Sequence, residues 1–222
     1  MIKSSMLSGR RASHGFTLVE LLVVLAIISV LLSVLVPAAW SAMKVARQSA
    51  ATQSSHGIGE LMTQYSLDNG QYPDGATSTE ACKLLIQKGY LTSADIFYLP
   101  NGMQKKFKGQ SPGTNLMAVN VSWDTIGMDS DSGPAGISAG APSELPIVFS
   151  TGGSVSIPAQ LGPGAATCSA LGPLGVDGLA VTYKDNHATF AKIDSTSGTP
   201  TISDFIAGSF DAKGVVYVQR KP

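Results

Sequence analysis

The chain has 222 residues, 44% of them apolar, and its 15 basic and 15 acidic side chains cancel to a formal charge of zero. That length holds one membrane segment and one domain of moderate size, and the charge balance gives no general attraction to nucleic acid. The apolar residues are unevenly spread, crowding into residues 16–46, so the remainder is more polar than the mean suggests.

Residues 1–15 form a short, polar, basic leader in which Lys3, Arg10 and Arg11 are the only Lys, Arg, Asp or Glu. Its removal leaves the rest three charges negative. It has no apolar core of its own, so it is not an ordinary cleavable secretory peptide. Its basic residues favour the cytoplasmic side, although Lys44 and Arg47 beyond the apolar tract weaken that asymmetry. From Phe16 to Val36 run about 21 nearly unbroken apolar residues, enough at ~1.5 Å per residue to cross a ~30 Å hydrocarbon core. One carboxylate, Glu20, stands inside this run. A charge there costs at least ~2.5 kcal/mol at mid-bilayer, so it is read as functional and in need of a partner. The bland alternative is a signal anchor with a stray acid.

Pro37 removes a backbone donor and crowds the preceding turn, which predicts a kink or a local loss of helix. Beyond it, Ala42, Val45, Ala46, Ile58, Leu61, Met62 and Tyr65 recur at helical steps, an amphipathic stripe onto which a domain should pack. Gly57 and Gly59 weaken its middle by up to ~1 kcal/mol each. Leu67-Asp68-Asn69-Gly70 ends the helix, with Gly70 suited to a left-handed residue. A short helix is expected over Ser78–Gly89, capped by Thr77 or Ser78. Later come short apolar runs divided by turn residues, giving strands at 116–123, 145–149, 179–183, 188–193 and 215–219. Asp185-Asn186 suits a hairpin turn. Residues 127–144 and 150–175, rich in Gly, Ser and Pro, read as surface excursions.

At Gly15-Phe16-Thr17-Leu18-Val19-Glu20 and its apolar tract the chain resembles the type IV pilin superfamily: pilins, minor pilins and the pseudopilins of type II secretion. The resemblance implies that a prepilin peptidase cuts after Gly15 and methylates Phe16, that Glu20 serves assembly, and that Pro37 interrupts the helix. It implies a homo-oligomeric filament, or one built with related pilins, extracted by an inner-membrane assembly platform. The phrase Leu67-Asp68-Asn69-Gly70-Gln71-Tyr72-Pro73 is similar to the helix-to-loop passage of major pseudopilins. The expected organisation is a leader over 1–15, a membrane and assembly segment over 16–36, a second half-helix over 37–70 and an α+β domain over 71–222. The expected fold is α+β, a long N-terminal helix packed on an antiparallel sheet. The function implied is structural, in a pilus-like or pseudopilus filament. The alternatives are a pseudopilin driving protein export and a minor or competence pilin presenting a ligand at a tip. The protein would sit in the bacterial inner membrane with its leader in the cytoplasm, then in a periplasmic or extracellular filament.

Other chemistry is sparse. Cys82 and Cys168 have no second Cys or His at ligand spacing. In an exported domain they read as a disulfide, with two buried thiols as the alternative. A bridge closing about 85 residues stabilises by ~4–5 kcal/mol in the chain-entropy model. Asp129 and Asp131 lie in an Asp-Ser-Asp-Ser-Gly stretch that offers oxygen ligands to calcium, but the spacing of a twelve-residue calcium loop is absent, and no cofactor is expected. Lys105-Lys106-Phe107-Lys108 is too short a basic cluster to argue for nucleic acid and reads as a solvated loop. His187 reads as a turn residue without an acid or nucleophile to work with. No nucleophile elbow, phosphate loop or zinc motif appears, so catalysis is not expected.

Overall fold

In the computed structural model, residues 16–100, 104–130, 133–150, 155–156, 166–168, 174, 177–193, 201–202 and 216–222 are described. The side chains of 129, 130, 133, 134, 155, 156, 166–168, 201, 202 and 216–219 are excluded from that description. The chain divides into two compact units, 1–45 and 46–222. A single helix, α1 (Leu18–Asn69), is continuous through both, and it runs through Pro37 without interruption. Of the two expected consequences of Pro37, local loss of helix therefore does not occur.

In the first unit every described residue is exposed, including Phe16 and Leu18 at 78% and Val34 at 74%. A helix apolar on all sides with nothing buried is built for an apolar surrounding. Among the described residues, α1 is the one helix long and apolar enough to cross a membrane. Two hydroxyls within it are satisfied locally. Ser29 Oγ donates to the Leu25 carbonyl at 2.7 Å and Ser33 Oγ to the Val30 carbonyl at 2.7 Å, so neither hydroxyl needs an outside partner.

In the second unit α1 buries one face: Ala51, Ser55, Ile58, Gly59, Met62, Tyr65 and Ser66. The expected stripe began at Ala42, but Ala42, Val45 and Ala46 are exposed and Leu61 is half-buried, so the packed face starts two turns later. Gly59 lets α1 approach the sheet closely: a Cβ there would lie 2.5 Å from Thr182 Cγ2. Beside it, the Ser55 and Thr182 hydroxyls share a buried hydrogen bond of 2.6 Å.

Helix α2 (Ser78–Gln87) follows. Its Thr77 cap accepts from the Glu80 N–H, and Glu80 reaches back to the Thr77 N–H, a reciprocal capping box. The expected strand over 116–123 is not one. A short helix α3 (Pro112–Asn115) precedes it, and a 3-10 turn at Ala118–Asn120 occupies its middle. The Asn120 side chain explains why, accepting from the Met117 N–H at 3.1 Å and donating to the Lys105 carbonyl at 2.9 Å. A local side-chain partner for the backbone competes with a strand ladder.

The strands are β1 (Asp124–Ser130), β2 (Gly133–Ala135), β3 (Pro146–Phe149), β4 (Val155–Ser156), β5 (Ala166–Cys168), β6 (Gly178–Tyr183), β7 (Ala188–Lys192), β8 (Thr201–Ile202) and β9 (Val216–Arg220). The main sheet has the order β2-β1-β3-β6-β7 with β9 also on β1, and every pairing is antiparallel. Strands β4, β5 and β8 form a small second sheet. The fold is α+β, as expected, but residues 127–144 are not a surface excursion. They supply the end of β1 and all of β2, and they thread Ile137, 1% exposed, into the core, where its carbonyl accepts from the Tyr72 N–H at 2.8 Å. The core gathers Ile58, Met62, Leu85, Phe97, Trp123 and Phe149, and the Trp123 indole N–H is satisfied by the Ile96 carbonyl at 3.1 Å.

Candidate functional site

The first turn of α1 carries the acid that the sequence singles out. Glu20 Oε2 accepts from the Thr17 N–H at 2.9 Å and from Thr17 Oγ1 at 2.7 Å. Thr17 Oγ1 accepts in turn from the Glu20 N–H at 3.2 Å. This is a capping box: it satisfies otherwise orphaned donors at the helix start and places a negative charge at the positive end of the dipole. Both Thr17 bonds go to Oε2, leaving Oε1 uncommitted among the described residues. The sequence reading treats Glu20 as a charge awaiting a partner and overlooks Thr17. The signal is present in Thr-x-x-Glu at the head of an apolar run. Phe16, fully in view at this end, is described; Gly15 lies outside the described residues.

The phrase that ends α1 proves to be a joint. Gly70 takes φ +77. Tyr90 Oη donates to Asp68 Oδ2 at 2.6 Å, and that bond raises the Tyr90 pKa. The Asn69 amide donates to the Tyr65 carbonyl at 2.8 Å, and the Tyr65 and Tyr90 rings meet at 5.6 Å. Tyr72 and Pro73 are buried beyond it. These residues fix where the helix stops and hold the following turn.

Cys82 is fully buried, and burial pushes the pKa of its thiol up. Cys168 lies on β5, where side chains are outside the described residues, so the expected bridge stays a proposal. Asp129 belongs to the β1 ladder, opposite Pro134 and Val216, rather than to a loop. Its side chain, and all of Asp131, lie outside the described residues. Among the described residues no group of three or more His, Cys, Asp or Glu side chains gathers as a metal site.

His187 does have an acid. Its Nδ1 lies 2.6 Å from Asp185 Oδ1, its backbone N–H donates to the same oxygen at 3.1 Å, and its ring stacks on Tyr183 at 4.4 Å. Partial desolvation opposes ionisation of Asp185, but the two bonds from His187 and its nearby charge outweigh it and hold the carboxyl below its usual range. The group closes the β6–β7 turn, with Asn186 at φ 67. A groove of about 300 Å³ beside α1 is walled by Ala46, Ala50, Ala51, Ser54, Tyr98 and Leu99, with Arg47 at its edge. It presents no paired acid and base, and so no catalytic constellation.

Residues 10–36 match the family model described as the prokaryotic N-terminal methylation motif. Three curated relatives are similar to parts of the chain. The chain is 34% identical over 83 residues to a fimbrial protein of Neisseria meningitidis serogroup A / serotype 4A, covering 37% of this chain and 49% of that protein. It is 39% identical over 76 residues to the type IV wide pilus major component PilA4 of Thermus thermophilus, covering 34% and 55%. It is 29% identical over 107 residues to the type II secretion system core protein G of Escherichia coli, covering 48% and 72%. The chain carries the N-terminal signature of the type IV pilin and pseudopilin superfamily. It spans about half the length of the two pilus proteins that it matches. No solved structure matches it significantly. Among the described residues no catalytic group is assembled.

Proposed function

We propose that this chain is a structural subunit of a type IV pilus-like or pseudopilus filament. It is made as an inner-membrane precursor, cut after Gly15 by a prepilin peptidase on the cytoplasmic side and methylated on Phe16. It is then moved by an assembly platform into a homo-oligomeric or mixed-pilin filament. The observation that carries this reading is the first half of α1, apolar on every side and exposed throughout, with Glu20 of the Thr17–Glu20 box as its one carboxylate. In a membrane the lipid covers such a helix; in a filament neighbouring helices cover it. The free amine of Phe16 after cleavage supplies a cation that the uncommitted Glu20 Oε1 can accept, from a neighbouring subunit, because an unpaired carboxylate in an apolar bundle is costly.

A pseudopilin role in protein export has its own support. The match to core protein G covers 72% of that protein, more than either pilus protein is covered. Long surface filaments from the wild type under the electron microscope support a pilus, and short envelope-bound filaments in a secretion locus support a pseudopilus. The processing step is tested by mass spectrometry of the mature N-terminus. It should begin at Phe16, with the added mass of a methyl group. A start at any other residue overturns the proposed route.

A further inference from the structure

The segment 104–108 and the turn 117–120 are held together. The Lys105 N–H donates to the Val119 carbonyl at 2.6 Å, and the Asn120 amide donates to the Lys105 carbonyl at 2.9 Å. The result is one face with two chemistries. Lys105, Lys106 and Lys108 are exposed. Shortly after them in the chain Met117 is 64% and Val119 42% exposed. From Gln104 to Trp123 the chain has three lysines and no carboxylate. Asp95, which lies 3.3 Å from Lys106 Nζ, is the acid that meets this cluster.

We infer that this face docks on the surface of an anionic phospholipid bilayer. Lysines around protruding aliphatic side chains match the headgroup layer: the ammonium groups meet phosphate, while Met117 and Val119 enter the acyl boundary. Charge complementarity selects the anionic surface, and the exposed aliphatics select lipid over nucleic acid. A single strand needs open aromatic faces to stack its bases. Phe107, the aromatic of the cluster, is half-buried, packed on the core and against Gly109. The inference rests on the membrane-anchored reading of the apolar half of α1, which keeps a bilayer next to this domain until the subunit is extracted. Docking would hold the domain at the membrane before assembly, and extraction would have to break it.

The test uses the full chain reconstituted in vesicles of phosphatidylcholine, with or without phosphatidylglycerol. Floatation of the vesicles first shows that the protein is inserted in both, which separates failure of anchoring from failure of docking. Amine acetylation and hydroxyl-radical oxidation, read by mass spectrometry, then report Lys105, Lys108 and Met117. Each lysine at an anionic surface contributes roughly a fivefold bias toward it. Labelling of all three residues should therefore fall about fivefold or more with phosphatidylglycerol and recover in high salt. In the Lys105→Gln/Lys108→Gln variant, Met117 should lose most of its protection. Equal labelling in the two vesicles overturns the inference. So does protection that follows protein density rather than lipid charge, which marks a second copy as the occupant. Protection produced only by added single-stranded DNA overturns it in favour of nucleic acid.

Discussion

Gly59→Ala tests the packing of α1 on the sheet by setting two effects against each other. In an isolated helix the change stabilises by about 1 kcal/mol, because Ala is the best helix former. Here the new Cβ would stand 2.5 Å from Thr182 Cγ2 and 3.3 Å from Asn186 Oδ1. Thr182 is fully buried, β-branched and tied through its hydroxyl to Ser55, so it cannot rotate away without losing that bond. Overpacking of this kind costs about 1–3 kcal/mol, and so tight a contact belongs at the upper end. The net expectation is a loss of about 2 kcal/mol, or roughly 4–8 °C in Tm for a chain of this size. Thermal unfolding of the full chain in detergent reads this directly. The decisive comparison is a Thr182→Ser background, which removes Cγ2 and keeps the hydroxyl. There Gly59→Ala should be neutral or stabilising. If Gly59→Ala raises Tm in the wild-type background, the close approach of α1 to β6 is not what requires the glycine.

Two further outcomes follow from the same structure. The lowered Asp185 pKa means that its folded, ionised form contributes stability above the ordinary value of 3.8, lost as pH falls through the folded value. Asp185→Asn should therefore flatten the acid limb of a Tm–pH curve below that value and leave its shape near neutrality unchanged; an unaltered acid limb rules the linkage out. The proposed Cys82–Cys168 bridge should show in intact mass as two alkylation sites that appear only after reduction. Two thiols alkylated in freshly extracted, unreduced protein refute it.

Much of the framework was legible because local chemistry and tertiary need agree. Asn69-Gly70 stops α1, Thr77 and Glu80 cap α2, and Asp185-Asn186 turns β6 into β7, each through short-range bonds that a sequence displays. Where reading failed, a distant partner decided the outcome. Leu116–Trp123 has the apolar content of a strand, but Asn120 reaches back to Lys105 and winds it into a turn. The stretch from Gly127 looks like a loop, yet Gly127, Met128 and Asp129 pair with β9, and Gly127 leaves room for the Arg220 guanidinium. Arg220 is itself 3% exposed and donates to the Ala135 carbonyl at 2.7 Å, whereas an arginine near the end of a chain reads as solvated. At the candidate site the position of Glu20 is plain from the apolar run, while its bond to Thr17 is less so, because a lone carboxylate in an apolar tract points to an opposite charge rather than to a cap.

That bond makes a sharper test of the assembly role possible. Glu20→Ala removes the charge and the cap together, whereas Glu20→Gln removes the charge but can still close the Thr17 box, since Gln serves at this position as Glu does. Wild type and both variants are expressed side by side, cleavage is followed by mass, and filament yield is counted by electron microscopy. The expected result is normal cleavage at Gly15 and normal membrane insertion in all three, with filaments from the wild type alone. Normal filaments from Glu20→Gln would contradict a role for the charge in bringing subunits together, and would leave Glu20 as the cap of its own helix.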